Sequence, residues 1–450
     1  MSTKNKNKSA GTQVKVTNLN RSKLKIIGDN VLYNNGVITA FYIIPLTNYA
    51  TNSKAGVEVA VDNLTNMISN LTTNNPTISF TIEKIEKTIK RKDVISNMLG
   101  TIEIYRPDYE MPREFTKNVR DDVQSYCLIG IDIQQSTVTD VEDYSIWETI
   151  KAVGKSTINA FSGIGNMNAD PEQILKIEEN VYRTINSKCV RASKELVFYT
   201  YVSKVFPCYE ISYDRLSYIN ENNFEAIMGA VTQTVSDNFG WFEMHNEGVD
   251  IFGLEPQTTY GCMLNVQEFP MMIDTNDFPM DYPGGLVTTI KCLKKEDANL
   301  KIKRIRSSDR YEANQAIEAG AELEDIEAIE QNISIATRAL QNLEDGEVLC
   351  EFNTSILVYA ETREELKSRV MSIITSCKDR NILVSKSLTQ ALDFLNNYIN
   401  KKPQKFMHMG PLSFPLSFQQ NSGATVGDTE GLYTQKGLPI WSPAIGEDIT

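Results

Sequence analysis

The sequence predicts a multi-domain α+β protein in which two or more α+β units flank a helical middle segment. Segments of alternating apolar and polar residues, typical of half-buried strands, recur between turn residues. Between them lie segments with apolar residues three and four positions apart, which is typical of amphipathic helices. At about 100–200 residues per domain, a chain of 450 residues holds roughly two to four domains. The expected division is a basic disordered arm at 1–22, an N-terminal α+β domain at 23–140, a mainly helical segment at 141–250, an α+β domain with a long acidic helix at 251–402, and a proline- and glycine-rich linker at 403–450.

The N-terminal domain begins with strands. Residues 23–46, KLKIIGDNVLYNNGVITAFYIIPL, alternate around two turn signals and predict a meander of short strands. Residues 54–71 carry apolar residues at helical spacing and predict a helix. TISFTIEKI at 77–85 predicts a half-buried strand. A helix at about 112–125 and a strand at 127–133, CLIGIDI, complete the unit.

Residues 145–245 are predicted to be mainly helical. PEQILKIEENVYRTI at 171–185 has a proline in its first turn and apolar residues along one side. SKELVFYTYVSKVFP at 193–207 and NFEAIMGAVTQTVSDNF at 223–239 are further helix candidates.

Strands return at 259–270, TYGCMLNVQEFP, and at 284–294, GGLVTTIKCLK. One long acidic helix is expected at roughly 309–344, because Asp345 and Gly346 follow it as a stop signal. EVLCEFNTSILVYA at 347–360 then predicts either a strand pair or one long strand.

The next segment repeats strand and helix. Thr362 and Glu365 form a capping box that opens a helix, and ILVSK at 382–386 predicts a short strand. Ser387 and Gln390 form a second capping box at the start of another helix. This order of strand, helix, strand and helix predicts a ferredoxin-like split βαβ unit in the C-terminal half.

The charge is uneven along the chain. The formal net charge of −13 argues against a protein body that wraps nucleic acid. Residues 1–28, however, contain basic residues and no Asp or Glu. This arm could contact an anionic membrane or nucleic acid, although a solvated tail has the same composition. The candidate contact residues are Lys4, Lys6, Lys8, Lys15, Arg21, Lys23 and Lys25.

Residues with redox or metal chemistry are sparse. None of the seven cysteines forms a C-x-x-C pair, so neither a zinc knuckle nor a redox motif is expected, and buried thiols in a reducing cytoplasm are the default. The two histidines, His245 and His408, are far apart in sequence. A histidine-based catalytic site or metal cluster is therefore not expected.

The tetrapeptide GKST at 154–157 matches the end of a phosphate-binding loop. That loop requires a first glycine five residues before the second one, and Thr149 occupies this position. Ile150 and Val153 lie on the apolar side of a helical wheel, whereas Lys155 lies nearly opposite. The sequence therefore predicts an amphipathic helix with a solvent-facing lysine and no nucleotide site here.

Three other segments have a structural and a functional interpretation. GATVGDTEG at 423–431 is weak as a nucleotide cradle and typical of a loop. Glu322, Asp325 and Glu330 could form a metal or acid–base cluster, but the solvated face of a helix explains them more simply. KIKRIRSSDR at 301–310 is interpreted as an ion-paired or solvent-facing connector in preference to a nucleic-acid site.

The region from about 258 to 441 resembles the amino-terminal half of the VirB/TraC/TraE/CagE-type ATPases of conjugative type IV secretion systems. The resemblance rests on the order of segments: the strand TTYGCMLNVQEFPMMI, a basic connector, and a long helix ending in ATRALQNLEDGE. A strand, an A-x-T-x-x-E-L helix start and an amphipathic helix follow in LCEFNTSILVYAETREELKSRVMSIITSC, as they do in that family. GPLSFPLSF and GDTEGLYTQKGLPIWSP resemble the passage toward the family's motor domain, and residues 21–250 fit more loosely.

The resemblance implies a docking role that seats a motor on inner-membrane channel components during DNA or protein transfer. The implied partners are small membrane-spanning channel subunits, the coupling ATPase and further copies of the chain. Direct sequence-specific binding of nucleic acid is not expected. The implied location is cytoplasmic, peripherally associated with the inner face of the cell membrane.

The chain departs from the family pattern at its carboxyl end. In the family, a strand like GLPI leads to a Walker loop and a RecA-like ATPase domain, and neither is found before Thr450. No catalytic, nucleotide-binding or metal-binding residue is therefore carried over, and ATP and Mg²⁺ are expected only in a motor domain outside these residues. Residues 1–450 alone are not expected to hydrolyse ATP, so enzyme status stays open for the whole protein. A stand-alone structural or adaptor subunit without ATPase activity is the alternative.

Overall fold

The computed structural model describes a large part of the chain. The described residues are 13–14, 25–34, 37–44, 54–89, 122–133, 171–186, 188–205, 235–238, 240–245, 258–270, 284–320, 323–387, 389–394, 397–398, 401, 405–421, 441–442 and 447–448. The strands are β1 Gln13–Val14, β2 Lys25–Ile27, β3 Val31–Asn34, β4 Val37–Ile44, β5 Ser79–Ile89, β6 Asp122–Asp132, β7 Val190–Arg191, β8 Val235–Asn238, β9 Trp241–His245, β10 Thr258–Glu268, β11 Gly284–Cys292, β12 Leu349–Ala360, β13 Leu383–Lys386, β14 His408–Pro411, β15 Trp441–Ser442 and β16 Glu447–Asp448. The helices are α1 Lys54–Asn74, α2 Pro171–Ile185, α3 Lys194–Val205, α4 Lys295–Ala319, α5 Leu323–Glu344, α6 Arg363–Asp379, α7 Gln390–Phe394 and α8 Ser413–Asn421.

Fourteen of these strands form one antiparallel sheet, which confirms the mixed α and β class. The main order is β1-β8-β9-β10-β12-β11-β5-β6-β4-β3-β2. The central pairing joins β5 to β11, with Phe80 opposite Ile290 and Glu83 opposite Val287. The sheet is therefore continuous between the segments expected to form separate N-terminal and C-terminal units.

Strand β10 has neighbours on both sides. It pairs with β12 along one edge and with β9 and then β13 along the other. Between β9 and β13, the backbone of Met263 is bonded instead by the Gln390 side chain, which accepts from its N–H at 2.6 Å and donates to its carbonyl at 2.9 Å. Gln390 thus completes the hydrogen bonding of this edge. It also donates to the Ser387 carbonyl at 2.9 Å, while the Ser387 hydroxyl donates to the Asp393 carboxylate, so the two residues are in contact but not in the capping-box pattern predicted from the sequence.

Successive side chains of a strand point to opposite faces of the sheet, and in this sheet both faces carry apolar side chains. Helices cover both faces. On the first face, α1, α2 and α8 pack on β4, β5, β6 and β11, in a core that includes Phe80 and Ile129. On the same face, α6 packs on β10 and β12 through residues such as Leu366 and Val370. Leu286 belongs to this second core.

The second face carries α3, α7 and the pair of helices α4 and α5. Tyr201 of α3 lies edge-on to Phe41 of β4, with ring centroids 6.4 Å apart. Phe394 of α7 stacks on Phe242 of β9 at 4.5 Å. Helices α4 and α5 contact the sheet near Leu349, at the start of β12.

Most expected elements are confirmed. Helix α2 has the bounds predicted, and the helices expected at 54–71 and 193–207 are present as α1 and α3. The Thr362 cap is also present, since its side chain accepts a hydrogen bond from the Glu365 N–H at 3.2 Å. EVLCEFNTSILVYA forms one long strand, β12.

Two expected helices are wrong where the structure describes them. The helix expected at 112–125 conflicts with β6, in which Asp122 to Ser125 pair with Ile89 to Glu86 of β5. The helix expected at 223–239 conflicts with β8, because Val235–Asn238 pair with β9. Pairing with a distant strand in the first place, and with the adjacent strand of a hairpin in the second, overrides local helical periodicity. Residues 112–121 and 223–234 lie outside the described residues.

The single helix expected at 309–344 is also wrong. The structure has two helices, and α4 begins at Lys295, so the basic connector at 301–310 is helical. Helix α4 ends at Gly320, which adopts the left-handed conformation with φ 70° and donates a hydrogen bond to the Ile317 carbonyl at 3.1 Å. Glycine adopts this conformation without the steric cost of a Cβ atom.

Part of the segment expected to be a linker is folded. Strand β14 pairs with β12, placing His408 opposite Phe352. Helix α8 follows, with Pro415 in its first turn, where the missing N–H has no helical partner. Leu416 and Phe418 are buried, so apolar burial outweighs the high proline content here. The glycine-rich stretch at 423–431 lies outside the described residues.

Candidate functional site

Helices α4 and α5 form a long antiparallel hairpin. At 1.5 Å per residue, their 25 and 22 residues correspond to about 37 and 33 Å. The seam between them contains small and aliphatic residues, which let two helices approach closely. These residues are Ala298, Ile302, Ala336 and Leu343, which cluster with Leu349 of β12.

The contacts of the hairpin with the sheet lie at its base. Leu293, just before α4, donates its N–H to the Leu349 carbonyl at 2.9 Å. The Lys301 ammonium pairs with the Glu351 carboxylate of β12. Within the hairpin, the Lys295 ammonium donates to the Glu344 carbonyl at 3.5 Å, which ties the two ends together. Among the described residues, these contacts fall in the first two turns of α4, and the exposed side chains of Tyr311 and Ile317 lie beyond them.

Large apolar side chains are exposed along this hairpin. Leu300, Tyr311 and Ile317 of α4 are 55%, 66% and 57% exposed, and Ile335 of α5 is 65% exposed. Full burial of such a side chain is worth about 1.5–3 kcal/mol, so each retains a driving force for association. Scattered single residues need no explanation, but several on one projecting element are typical of an interaction surface.

The charges of the hairpin are segregated along its length. The segment of α4 at 301–306 is basic, although the first turn before it carries the exposed acids Glu296 and Asp297, and toward the tip both helices are acidic. The basic residues are Lys301, Lys303, Arg304 and Arg306, and the exposed acidic residues are Glu312, Glu318, Glu327 and Glu330. Helix α4 therefore has a basic segment followed by an acidic one.

A second group of charges is buried on the first face of the sheet, around Glu178 of α2. Its carboxylate accepts hydrogen bonds from Asn30 Nδ2 at 3.1 Å and from the Tyr42 hydroxyl at 3.0 Å. Arg191 of β7 donates to it through Nε at 2.9 Å and Nη2 at 2.8 Å, and its guanidinium lies 3.9 Å from the Tyr182 ring centroid. Burial, then the charge of Glu178, raises the pKa of Tyr42 well above its usual value. We call these residues the Glu178 network. The carboxylate already accepts four hydrogen bonds, so the network ties α2 to β4 and β7 and is structural.

Two further ion pairs connect peripheral segments to the second face. Lys204 of α3 pairs with Glu83 of β5 at 2.6 Å. Lys401 lies 3.7 Å from the Asp132 carboxylate, which also accepts a hydrogen bond from the Thr39 hydroxyl at 2.8 Å. Burial raises the pKa of Asp132, and the Lys401 charge and the Thr39 hydrogen bond partly oppose that rise. These pairs hold packed elements together.

The described residues offer little nucleophilic or metal-binding chemistry. The six described cysteines are buried, and burial raises the pKa of Cys262 and Cys292 to about 12 and that of Cys377 to about 11. A neutral buried thiol is a poor nucleophile. Within the described ranges, no group of three or more His, Cys, Asp or Glu side chains could hold a metal ion. In the same ranges, no helix combines the length and the apolar character needed to cross a membrane.

The predicted basic contact residues lie mainly outside the described part. Lys25 is in β2, with its backbone opposite Tyr33 of β3. Lys4, Lys6, Lys8, Lys15, Arg21 and Lys23 lie outside the described residues, as do GKST and its Lys155.

The other sequence candidates take structural positions where they are described. Glu330 is exposed on α5, in agreement with a solvated face, whereas Glu322 and the side chain of Asp325 are outside the described part. The ring of His408 packs edge-on to Phe269, with its Nε2 2.9 Å from the Val266 carbonyl. His245 lies in β9, and its side chain is not described.

The sequence pattern does not indicate the hairpin as a site, because it predicts one acidic helix at 309–344 where the structure has two helices. Two signals in the sequence could have indicated it. Gly320 interrupts the helical pattern, and Leu300 and Tyr311 lie on the polar side of α4. Comparisons with known protein families and with curated proteins find no match to this chain.

Proposed function

We propose that this chain is a docking and assembly region of a conjugation-type secretion ATPase, which seats the motor on inner-membrane channel subunits. The observation that carries the proposal is the projecting hairpin with its exposed Leu300, Tyr311, Ile317 and Ile335. Anchored at its base and carrying exposed apolar side chains on both helices, it has the form of an element that binds another protein. The order of segments in residues 258–441, which resembles that family, supports the same role.

The proposal includes the ferredoxin-like split βαβ unit expected in the C-terminal half. Strands β12 and β13 each pair antiparallel with β10, from opposite sides, and α6 connects them. Two mutually parallel strands around a third strand, linked by a helix, are the elements of a split βαβ unit. Such a unit would hold the hairpin, which precedes β12, at a fixed position.

The proposed location is the cytoplasmic face of the membrane, with peripheral attachment. The basic residues of the amino-terminal arm would lie near anionic lipid, and the hairpin would contact a membrane-spanning channel subunit. Each basic residue near such a surface contributes about 1 kcal/mol, and salt screens this attraction. ATP hydrolysis is assigned to a motor domain outside residues 1–450, and the coupling ATPase is a further partner.

Co-purification with membrane-spanning channel subunits of a conjugative secretion system tests the proposal. The full chain should retain a channel subunit from detergent-solubilised membranes. A variant with residues 305–334 replaced by a short glycine-rich turn should lose it, because the outer hairpin is removed while Ile302 and Ala336 remain. Its melting temperature should stay close to that of the unmodified chain.

A separate experiment, vesicle sedimentation, tests the basic amino-terminal arm. Lys4, Lys6, Lys8 and Lys15 are changed together to Gln, and sedimentation with anionic vesicles is measured at low and high salt. Vesicle binding should weaken with salt and with the substitutions. If the shortened hairpin retained the channel subunit fully, the docking role would be wrong; unchanged vesicle binding would refute the role of the arm.

A further inference from the structure

We infer that the outward face of α4 binds the same face of a second copy of this chain, an inference that rests on the proposed assembly role. This surface, the α4 stripe, consists of Leu300, Arg304, Ser307, Tyr311 and Glu318, all of them exposed. Their spacing of three, four and seven residues places them on one side of the helix, at 100° per residue. Ala298, Ile302 and Ala313, which are buried, lie on the opposite side.

The α4 stripe carries opposite charges at equal distances from its centre. Tyr311 lies midway between Arg304 and Glu318, which are each seven residues, or about 10 Å, away from it along the helix. In an antiparallel two-fold contact at Tyr311, Arg304 of each copy lies beside Glu318 of the other. A surface that complements itself in this way is what a two-fold dimer requires.

The segments around the stripe favour the same occupant. With the two-fold axis at Tyr311, residues 312–318 of each α4 lie along residues 304–310 of the other, so Glu318 meets Arg304 and the residues before Arg304 lie beyond this contact. Nucleic acid or an anionic membrane lying along the whole stripe would meet the carboxylate of Glu318 at one end. At the centre, the Tyr311 hydroxyl accepts a hydrogen bond from Gln315 Nε2 at 2.9 Å, which orients the exposed ring.

Charge exchange on the full chain tests this contact. Sedimentation velocity over a range of concentrations should show the unmodified chain in a monomer–dimer equilibrium. Arg304→Glu and Glu318→Arg should each weaken the dimer about tenfold or more, because like charges then face each other twice. An equimolar mixture of the two variants should recover the dimer, since both contacts in the heterodimer again join opposite charges.

A matched control lies one residue away. Lys303→Glu makes the same charge change about 100° around the helix from Arg304, and its dimer should match that of the unmodified chain. Circular dichroism melts of every variant separate a lost contact from a lost fold. A second measurement uses Tyr311→Cys, which should crosslink two copies under mild oxidation, whereas Lys303→Cys should not.

The outcomes separate this inference from the docking role. A chain that stays monomeric at all concentrations, or a mixture that recovers no dimer, would overturn the α4 stripe while leaving capture of the channel subunit intact. Loss of capture by the shortened hairpin together with a normal charge-exchange pattern in the full chain would support both. An intact dimer in a full chain that captures no channel subunit would count against the docking role alone.

Discussion

The Glu178 network and the α4–α5 hairpin are both rich in charged residues, but the network pairs its charges within the chain whereas the hairpin exposes them. In the network, a buried carboxylate accepts four hydrogen bonds from Asn30, Tyr42 and Arg191. On the hairpin, Arg304 and Glu318 are exposed and lie two heptads apart. The first arrangement fixes the chain to itself, and the second leaves charge available to another molecule.

The two regions also differ in where their apolar side chains lie. Around the network, Ile174, Val181 and Ile185 of α2 are buried in the core of the sheet. On the hairpin, side chains of similar size are outside, and the seam is made of a few small and aliphatic residues. Isolated helices gain most of their stability from packing, so the outer hairpin depends on its own seam and on whatever binds it. The contrast predicts large stability effects in the sheet and small ones on the hairpin.

The largest effect is expected from Glu178→Ala. Removing the buried carboxylate takes the acceptor from the Tyr42 hydroxyl and one of two acceptors from Asn30 Nδ2, which keeps the Phe41 carbonyl. Arg191 loses one countercharge and keeps Glu179. Each buried polar group left without its partner costs about 1–3 kcal/mol, and the lost packing of the side chain adds to this cost. Urea denaturation monitored by circular dichroism measures the free energy of unfolding.

Glu179→Ala is the matched control for this prediction. Glu179 lies next in the chain and contacts the same guanidinium at 2.5 Å, but its side chain is 43% exposed. Its removal should change the unfolding curve much less than Glu178→Ala. Equal effects of the two substitutions would show that the buried network is no more important than a surface ion pair.

A smaller effect is expected from Gly261→Ala in β10. A Cβ atom there would lie 2.3 Å from the ring of Phe242. That ring is fully buried, stacked on Phe394 and edge-on to Tyr359, so it cannot move away freely. Overpacking of this kind costs about 1–3 kcal/mol.

Gly410→Ala provides the comparison for Gly261→Ala, again by urea denaturation. Gly410 lies in β14 of the same sheet, and the nearest atom to its added Cβ, in the Phe352 ring, is at 3.8 Å, an ordinary contact. It should therefore leave the free energy of unfolding unchanged or slightly raised. A loss at Gly261 no greater than at Gly410 would mean that the Phe242 ring has room to shift.

Much of the fold could be predicted because local patterns and tertiary packing agree. Helix α2 shows both, with a proline at its first position and buried residues at Ile174, Val181 and Ile185. The errors arose where they disagree. Asp122–Ser125 were assigned to a helix from local spacing, but they pair with β5, a segment more than thirty residues earlier. The pairing of β5 with β11 across the sheet leaves no local signal at all.

The candidate site was harder to predict than the fold. Helical patterns lie on both sides of Gly320, and local sequence does not distinguish a helix end at this glycine from a glycine tolerated within one helix. The exposure of Tyr311 and Ile335 depends on which other segments pack against the hairpin. The spacing of apolar residues along a helix does not give this information. The acids at 322–330 were correctly interpreted as a solvated face at Glu330, where the side chain is described.

The smallest effect is expected from Ile335→Ser on α5. This side chain is 65% exposed, and surface substitutions of this kind usually change stability by no more than about 0.5 kcal/mol. Ala336, the next residue, is 7% exposed and packs in the hairpin seam. Ala336→Ser makes a comparable polar change on the seam side and should lower the melting temperature more, because it places a hydroxyl in an apolar contact. Differential scanning calorimetry of the two variants therefore compares the outer and inner sides of one helix. If Ile335→Ser destabilised the chain as much as Ala336→Ser, then Ile335 would be held by contacts within the chain, and the hairpin would not present it to a partner.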